Sequence, residues 1–454
     1  MLSATGQQPD SFFENLRARE FGRLDETGIA YLDYAASALY GATQVAAYAD
    51  RLNRGVFGNP HSGHAPSQSS EAELEAARTM ALAYFDADPD RYEICFTANT
   101  SAAIKLVAES YRFDRRRGLV LSADNHNSMN GLREYARAAR APVAVLPLDE
   151  ELRLDDPLAR LKVAAKRDGA GLLGLPTQSN FSGVRHSLDL VMEAEALGFD
   201  VMLDAAGAGV SGRISLAQHP CVFLVFSFYK IFGLPTGVGA LIVRRDALAR
   251  LQRPWFSGGT VDFVSVEHDR YQLRQGYGAF EDGTPNFLDL GAIAPGFDFL
   301  RSVNIAGLSR RLDNLTARFV DGARALKRAD GAPLVRIYGP RERTGCGPTV
   351  AFNILRGDGA ALPYQQVEER AKRMGVAIRG GCFCNPGAAE RAFGFAQYDI
   401  PECLDVLQGD FSPALLRERL GGDATVGALR LSVGLPTSSR DIERALDLLA
   451  SFAA

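Results

Sequence analysis

The sequence predicts an α/β fold, in which a large, mostly parallel sheet of seven strands carries helices on both faces and a smaller α+β domain follows. The first observation is that short runs, apolar almost throughout, recur along the chain, as is typical of strands buried on both faces of a parallel sheet. They occupy residues 93–97, 118–122, 142–148, 171–175, 200–206, 221–228 and 239–243. The second observation is that helix-like segments separate several of these runs, as crossover connections require.

The helix-like segments follow in an order that fits such a sheet. Residues 101–111 and 128–139 follow the first two runs, residues 188–197 follow the fourth, and a long amphipathic segment at 63–86 precedes them all. The remainder alternates helix-like segments with strand candidates, at 305–328, 335–338, 349–354, 365–374, 429–433 and 441–452. We expect residues 1–30 to pack with the small domain, residues 31–296 to form the large domain, and residues 297–454 to form the small one.

The composition excludes several classes of function. The 454 residues are 46% hydrophobic and carry a net charge of −4, so no basic excess attracts nucleic acid or an anionic membrane. No apolar run approaches the roughly 18–20 residues of a membrane span, and the N-terminal residues lack the apolar region of a signal peptide. Six cysteines in a chain of this length do not form a disulfide framework, which predicts a reducing, cytoplasmic setting.

Polar side chains lie at the ends of five predicted strands, which is where open α/β sheets bind ligands. They are Thr97, Asn99, Thr100 and Ser101; Asp124, Asn125, His126 and Asn127; Gln178, Ser179, Asn180 and Ser182; Asp204; and Ser227, Tyr229 and Lys230. One such position would mean little, but five in one layer predict a cofactor pocket.

This set of side chains suits pyridoxal phosphate. Lys230, one of only six lysines in the chain, would condense with the cofactor's aldehyde. Asp204 would keep the pyridine nitrogen protonated, and His126 would cover the ring. Thr100 and Ser101, at a predicted helix start, offer hydroxyls and backbone N–H groups to the phosphate. Each residue alone is more often an ordinary cap, turn or surface residue; their order and spacing favour the cofactor.

Several ordered motifs resemble the cysteine desulfurases of the class V aminotransferase fold, and most of all the N-terminal domain of molybdenum cofactor sulfurases. They are YLDYAAS (31–37), GNPHS (58–62), QSNFSGVRH (178–186), SFYKIFGLPTGVGAL (227–241), FEDGTPNFLD (280–289) and RGGCFCNPGA (379–388). The resemblance spans about residues 29–451. It implies the pyridoxal-phosphate fold of type I and conversion of L-cysteine to L-alanine, with the sulfur passing to an enzyme cysteine and then to an acceptor protein or cofactor.

The resemblance also implies roles for individual residues. Lys230 would hold the cofactor and move the substrate's Cα proton, Ser227 would join Thr100 and Ser101 at the phosphate, and Asn180 would lie near the ring oxygen or the substrate. Arg430 would grip the substrate carboxylate, for which a guanidinium is well shaped, and Arg379 would assist. Thr260 lies in a segment (257–260) that would reach the partner subunit's cofactor in a homodimer.

Cys384 matches the desulfurase nucleophile, five residues after Arg379 in an R-x-G-x-x-C frame. Its glycine-rich, electropositive surroundings predict a mobile loop that favours the thiolate. On an extended loop the side chain of Cys382 would point the same way, but Cys382 falls where the desulfurases carry another residue type, so we interpret it as a structural cysteine. A metal site is not predicted, since a lone C-x-C without a second Cys/His pair is weak evidence for zinc.

Some positions depart from the desulfurase pattern, and alternatives remain open. Gly207 stands where a glutamine usually meets the ring oxygen, Tyr229 where many desulfurases have histidine, and Ala389 where a third cysteine is expected. We expect no molybdenum-cofactor-docking domain after this one, in which case delivery to that cofactor would need a separate protein. The alternatives are a pyridoxal-phosphate-dependent C–S lyase or aminotransferase on another amino acid, and a non-catalytic scaffold, which the presence of both Lys230 and Asp204 disfavours.

Overall fold

A seven-stranded sheet forms the centre of the large domain. The computed structural model describes residues 10–303, 305–407, 409 and 412–453. Its strands in chain order are β1 (Ala30–Tyr31), β2 (Tyr92–Thr97), β3 (Leu119–Ser122), β4 (Val143–Leu146), β5 (Leu172–Pro176), β6 (Asp200–Asp204), β7 (Phe223–Ser227), β8 (Gly239–Arg244), β9 (Val261–Ser265), β10 (Arg270–Leu273), β11 (Val335–Tyr338), β12 (Thr349–Ile354), β13 (Val376–Ala377), β14 (Arg379–Gly381) and β15 (Ala428–Ser432).

Helices flank the sheets. They are α1 (Asp10–Phe21), α2 (Arg23–Glu26), α3 (Ala42–Arg54), α4 (Ala65–Tyr84), α5 (Thr100–Ser110), α6 (Asn127–Asn130), α7 (Leu132–Ala138), α8 (Pro157–Asp168), α9 (Asp189–Ala196), α10 (Tyr229–Phe232), α11 (Arg245–Leu248), α12 (Phe287–Leu290), α13 (Ile293–Arg301), α14 (Ile305–Ala325), α15 (Tyr364–Arg373), α16 (Pro386–Phe393), α17 (Ile400–Leu407), α18 (Pro413–Arg419) and α19 (Ser439–Ala450). Within the described ranges, no helix combines the length and the apolar character needed to cross a bilayer.

The sheet of the large domain confirms the predicted fold class. Its strand order is β2-β8-β7-β6-β5-β3-β4, and the pairs from β7 through β4 are all parallel. Strand β8 runs antiparallel to both of its neighbours, β2 and β7. Each of the seven apolar runs forms one of these strands. Residues in β5 and β7 are buried throughout, because helices cover both faces of the sheet.

Two apolar clusters hold the helices against the sheet. On one face, Val107 of α5 and Leu132 of α7 pack with sheet residues such as Leu121. On the other face, Leu161 of α8 and Val191 of α9 belong to the larger cluster. Each fully buried side chain of this kind stabilises the fold by about 1.5–3 kcal/mol, so the two-sided core fixes the strand ends that carry the polar residues.

Two predicted helices differ in their ends. The helix expected at 128–139 is divided into α6 and α7, which meet at Gly131. The helix expected at 63–86 begins at Ala65, and His64 caps it by accepting a hydrogen bond from the Ser67 N–H at Nδ1 (3.2 Å). His64 therefore serves as a cap. No cluster of His, Cys, Asp or Glu that could hold a metal occurs among the residues the structure describes.

The small domain contains a four-stranded antiparallel sheet in the order β11-β12-β15-β14. Helix α14 packs against α19 beside it. The N-terminal segment contacts this domain, since the Arg17 guanidinium donates to the Asp441 carboxylate (2.6 Å) and Ala30 of β1 pairs with Val376 of β13. Residues 1–9 lie outside the described residues, and the domain boundaries at 30 and 296 stay predictions.

Candidate active site

A cavity of about 300 Å³ opens at the carboxyl ends of the central strands. The residues that line it include seven of the predicted site residues: Thr100, Ser101, His126, Asn180, Asp204, Ser227 and Lys230. Tyr229 and Gln178 complete much of the remaining wall. The sheet order explains this convergence, because β7, β6 and β5 are adjacent and their polar residues follow at the same edge.

One end of the cavity is a hydroxyl-rich cradle at the start of α5. Asn99 caps this helix by accepting a hydrogen bond from the Ala102 N–H (3.0 Å). The buried Ser227 Oγ accepts from the Thr100 N–H (2.9 Å) and bonds the Thr100 hydroxyl (2.7 Å). The Ser101 hydroxyl bonds the Ser128 hydroxyl (2.6 Å). A helix N-terminus with clustered hydroxyls is suited to hold a phosphate.

Lys230 and Asp204 come from neighbouring strands. Asp204 ends β6 and pairs with Val225 of β7, and Lys230 lies in the short helix α10 that follows β7. Burial lowers the pKa of the Lys230 ammonium, and the nearby Asp204 carboxylate opposes this shift. A lysine with a lowered pKa is more often neutral, which is the nucleophilic form that condenses with an aldehyde.

The Asp204 carboxylate is buried, and only one of its two oxygens accepts a hydrogen bond from the part of the chain that the structure describes. Its Oδ1 accepts a hydrogen bond from the Ala206 N–H (2.8 Å), and among the described residues no hydrogen bond reaches Oδ2. Burial raises the pKa of Asp204, although that N–H and the Lys230 charge favour the ionised form. A cation bound at Oδ2 would add to that preference, so the site is electrostatically prepared for a protonated nitrogen.

His126 lies on the wall of the cavity at the start of α6. Its Nδ1 accepts a hydrogen bond from the Ser128 N–H (3.1 Å), which orients the ring. Burial lowers the pKa of the imidazole, so the ring is neutral near pH 7 and can lie against another flat, apolar ring. The predicted stacking role of His126 stays a prediction.

Cys384 is presented at a tight turn, which corrects the expectation of an extended loop. The Asn385 N–H donates to the Cys382 carbonyl (3.0 Å), and both central residues, Phe383 (φ 57°) and Cys384 (φ 55°), adopt left-handed backbone. Such conformations cost of order 1 kcal/mol each for residues with a Cβ. Phe383 is buried and Cys384 is exposed, so this turn exposes one thiol at the apex.

The two cysteines of this turn have different surroundings. The Cys382 thiol lies against the Val426 carbonyl (3.4 Å), and burial raises its pKa to about 11. Asp204, Arg430, Cys384 and Arg379 all lie near enough to Lys230 to affect the pKa of its ammonium. Cys384 is therefore the thiol that combines exposure with closeness to Lys230, and its role as nucleophile stays a prediction.

Hydrogen bonds tie the Cys384 turn to the large domain. The Asn180 amide Nδ2 donates to the Phe383 carbonyl (2.6 Å), and the Asn127 N–H donates to the Cys384 carbonyl (2.7 Å). The adjacent Gly387 also packs so closely that a Cβ there would lie 2.2 Å from the Ala123 carbonyl oxygen. These contacts anchor the segment, which was expected to be a mobile loop, on the edge of the cavity.

A buried carboxylate, Asp124, organises this junction. Its Oδ1 accepts from the Ser179 hydroxyl (2.7 Å) and from the Asn385 amide (2.6 Å), and its Oδ2 bonds His186 Nε2 (2.9 Å). Asn385 also donates to the Asn180 side-chain oxygen (3.0 Å). Sequence analysis placed Asp124 at a strand end without a role, and did not single out Asn385.

Both predicted carboxylate-binding arginines lie on paired strands, where Arg379 of β14 is the register partner of Arg430 of β15. Arg430 is buried, lies over the Phe383 ring at 4.8 Å and donates to the Asn180 carbonyl (3.0 Å). Both guanidinium groups bind the same carboxylate, Asp33. Asp33 lies in the YLDYAAS motif, where the sequence alone indicates no role for it.

Gly207 has a steric explanation. A Cβ at this position would lie 2.5 Å from the Gln178 carbonyl oxygen, so no side chain fits. The buried Gln178 lines the cavity, and its side-chain Nε2 donates to the Gly207 carbonyl (2.9 Å). Glycine stands at position 207, where the desulfurases usually have glutamine, because the segments after β5 and β6 pack too closely here for a side chain.

Thr260 is not among the residues that line its own chain's cavity. It is buried in a turn, where its hydroxyl donates to the Ser257 carbonyl (2.8 Å) and accepts from the Ser257 N–H (2.9 Å). Its predicted role concerns a partner subunit's cofactor and stays a prediction.

Comparison with known proteins identifies the family. The family model described as aminotransferase class-V matches residues 30–444. This chain belongs to the class V aminotransferase family. Curated relatives include molybdenum cofactor sulfurases from Solanum lycopersicum, 32% identical over 96% of this chain, and from Bos taurus, 33% identical over 94%. The chain spans about 57% and 50% of the length of those two proteins.

Solved structures share the fold of this class V aminotransferase. A cysteine desulfurase from Thermococcus onnurineus superposes with a TM-score of 0.78 at 23% identity, covering 97% of this chain and 98% of that one. The cysteine desulfurase CsdA from Escherichia coli gives 0.77 at 22% identity, covering 98% of each chain. At this identity the likeness shows the fold.

Class V aminotransferases imply pyridoxal phosphate as cofactor, and the cavity fits it. The volume of about 300 Å³ accommodates a ring and a phosphate. The donor set is also appropriate: Lys230 for the aldehyde, the free Oδ2 of Asp204 for the ring nitrogen, the Thr100–Ser227 cradle for the phosphate, and His126 for the ring face.

Proposed function

We propose that this protein is a pyridoxal-phosphate-dependent cysteine desulfurase of the sulfurase type, which converts L-cysteine to L-alanine and retains the sulfur on Cys384. The observation that carries the proposal is the Cys384 turn. It holds an exposed thiol at the edge of the Lys230 cavity, anchored by Asn180 and Asn127. An aminotransferase needs no such thiol, whereas a desulfurase needs a nucleophile there.

The bound cofactor supplies an electron sink that weakens the bonds to the substrate's Cα. The chain's residues do the rest. Lys230, whose burial favours the neutral amine, takes the Cα proton and returns a proton to the product. The Cys384 thiolate attacks the substrate sulfur, so that the carbon–sulfur bond breaks and a sulfur–sulfur bond forms. Cysteine plus thiol thus gives alanine plus persulfide, with no external oxidant.

Arg430 and Arg379 orient the substrate carboxylate in this proposal, and Asn180 links Arg430 to the segment that carries the nucleophile. The Asn180 carbonyl accepts from Arg430 Nη1, while its side chain donates to the Phe383 carbonyl next to Cys384. Substrate position and thiol position are therefore fixed by one residue, which supports close approach of the thiol to the substrate sulfur.

The sulfur acceptor is a protein or cofactor that can reach an exposed thiol. The relatives carry the name molybdenum cofactor sulfurase, so an acceptor that carries the molybdenum cofactor is the first candidate. We also propose a homodimer, in which the segment containing Thr260 completes the partner's pocket. The segment around Thr260, which comprises β9, β10 and the residues before them, forms an apolar arm. Its exposed apolar side chains, including Trp255, Phe263 and Val266, support this assembly.

The test is to incubate the cofactor-loaded protein with L-cysteine and a reductant, and to measure alanine, sulfide and keto acid. We expect equal amounts of alanine and sulfide. Cys384→Ser should lower turnover at least about 100-fold while the absorption change on adding cysteine remains, and Cys382→Ser should stay within about twofold. Keto acid in place of alanine, or normal turnover by Cys384→Ser, would favour the lyase or aminotransferase alternative.

A further inference from the structure

One carboxylate bridges the two arginines assigned to the substrate. Asp33 Oδ2 accepts a hydrogen bond from Arg379 Nε (2.9 Å) and lies 2.8 Å from Arg379 Nη2 in the same ion pair. Asp33 Oδ1 accepts from Arg430 Nη2 (2.9 Å). Asp33 is 8% exposed and Arg430 is 2% exposed. The Arg379 side chain is 51% exposed. The Asp33–Arg430 part of the bridge therefore lies out of water, where charge balance has a strong effect on binding, and Arg379 closes the bridge from the solvent side.

The backbone fixes Asp33 between the two arginines. Leu32 N–H donates to the Ala377 carbonyl (2.9 Å) on one side, and the Ser432 N–H donates to the Leu32 carbonyl (2.8 Å) on the other. The Ser432 hydroxyl also accepts from the Ala35 N–H (2.8 Å). Because these hydrogen bonds fix the backbone on both sides of Asp33, the position of its carboxylate is set by the fold.

The three groups carry one net positive charge, from two guanidinium groups and one carboxylate. An amino acid with a single carboxylate would neutralise that charge. A second anionic group on the substrate would add a negative charge next to the buried Asp33 carboxylate, and like charges at short range repel strongly.

We infer that Asp33 determines specificity: by sharing its carboxylate between Arg379 and Arg430, it makes the site select amino acids with one carboxylate over those with an acidic side chain. The inference deepens the proposed function and rests on it for the assignment of the two arginines to the substrate. If Asp33 served only to hold the fold together, its loss would weaken both kinds of ligand equally.

The experiment compares L-aspartate with the nearly isosteric L-asparagine as ligands of the cofactor-loaded protein, followed by the cofactor's visible absorption. Asp33→Asn removes the charge and keeps the shape. We expect the ratio of the dissociation constants, aspartate over asparagine, to fall at least about tenfold in Asp33→Asn, and Asp33→Glu to return the ratio toward that of the unaltered protein.

Asp200→Asn provides the matched control. Asp200 also bridges two arginines, Arg117 (3.1 Å) and Arg250 (2.9 Å), but it lies at the start of β6, away from the cavity. Its substitution should leave the ratio unchanged. A ratio that shifts less than about threefold in Asp33→Asn, including no detectable aspartate binding by either protein, would overturn the inference.

The titration separates this inference from the proposed function. Neither amino acid needs sulfur transfer or Cys384 in order to bind. A protein that makes no alanine from cysteine but shows the shifted ratio would keep Asp33 as the determinant of specificity and would sink the desulfurase proposal. If the protein forms alanine from cysteine but the ratio does not shift in Asp33→Asn, the desulfurase proposal stands and the role of Asp33 in specificity is overturned.

Discussion

The Asn127 N–H donates a hydrogen bond to the Cys384 carbonyl at 2.7 Å. Asn127 directly follows His126, which lies on the wall of the cavity. One backbone contact therefore holds this wall residue and the proposed nucleophile together. The Asp124 carboxylate lies beneath this contact and binds Asn385, the residue after Cys384. The position of the thiol therefore depends on a buried polar junction.

Loss of the Asp124 carboxylate should destabilise the protein. Asp124→Ala leaves the Ser179 hydroxyl, the Asn385 amide and His186 without their shared acceptor in a buried place. Since each unsatisfied buried group costs about 1–3 kcal/mol, we expect the free energy of unfolding to fall by about 3 kcal/mol, measured by urea denaturation. Asp90→Ala, at an exposed position, should change it by less than about 0.5 kcal/mol. Equal effects of the two would contradict a supporting role for Asp124.

Lys230 should be the attachment point of the cofactor. After borohydride treatment of the loaded protein, we expect peptide mass spectrometry to find the reduced cofactor on Lys230, because it is the one lysine among the described residues that lines the cavity. Lys230→Ala should retain the fold but carry no fixed cofactor. Lys105→Ala removes a lysine that pairs with Glu109 on the exposed side of α5 and should label as the unaltered protein does. Fixed cofactor in Lys230→Ala would refute the assignment.

Cys382 should react slowly with alkylating reagents until the solution is strongly alkaline. Its pKa is raised to about 11 from an ordinary 9.0 because the thiolate is disfavoured by burial. Only the thiolate reacts, so in Cys384→Ser the rate of iodoacetamide modification at Cys382 should rise roughly 50-fold between pH 9 and pH 11. Glutathione in the same solution should change only about twofold.

The raised pKa of Cys382 also makes the stability of the folded protein depend on pH. The folded state favours the protonated thiol, so this contribution to stability is present below pH 9 and is lost as the pH rises through about 11. Circular dichroism at each pH verifies that the protein is still folded. A Cys382 rate that levels off near pH 9 in folded protein would contradict the buried position of the thiol.

The apolar arm formed by β9, β10 and the residues before them should hold the dimer together. Phe263 is 64% exposed and Val266 is 92% exposed in the single chain. Replacement of both by glutamate should convert a dimer into a monomer in sedimentation and weaken cofactor binding. Val163→Glu, 60% exposed on α8, should leave the dimer intact. A monomer from the unaltered chain at micromolar concentration would rule the arrangement out.

Much of the large domain could be predicted because buried strands leave a strong local signal. The seven apolar runs became seven strands. Asp204 and Ser227 end two of them, and Lys230 lies three residues after Ser227. The position of β8 could not be read in this way, since an apolar run does not state which neighbour it pairs with. Gly131 likewise gave no indication that it would separate α6 from α7.

The parts of the site that sequence analysis missed depend on contacts between distant segments. Asp33 binds Arg430, which lies 397 positions later in the chain. Nothing in the YLDYAAS motif indicates that its carboxylate is shared by two arginines. The left-handed backbone at Phe383 and Cys384 was equally hidden, because such conformations usually signal glycine or asparagine. Tertiary contacts, such as that from Asn180 to Phe383, select it here.

The same span from Asp33 to Arg430 sets the time at which this region can form during synthesis. At about 5–20 residues per second, a ribosome needs roughly 20–80 s to add the 397 residues between the two partners. Arg379 is added 346 residues after Asp33, so for most of that interval the carboxylate has neither guanidinium partner. The nascent chain must therefore keep the YLDYAAS segment from pairing elsewhere, and factors that bind newly made chains would find it open.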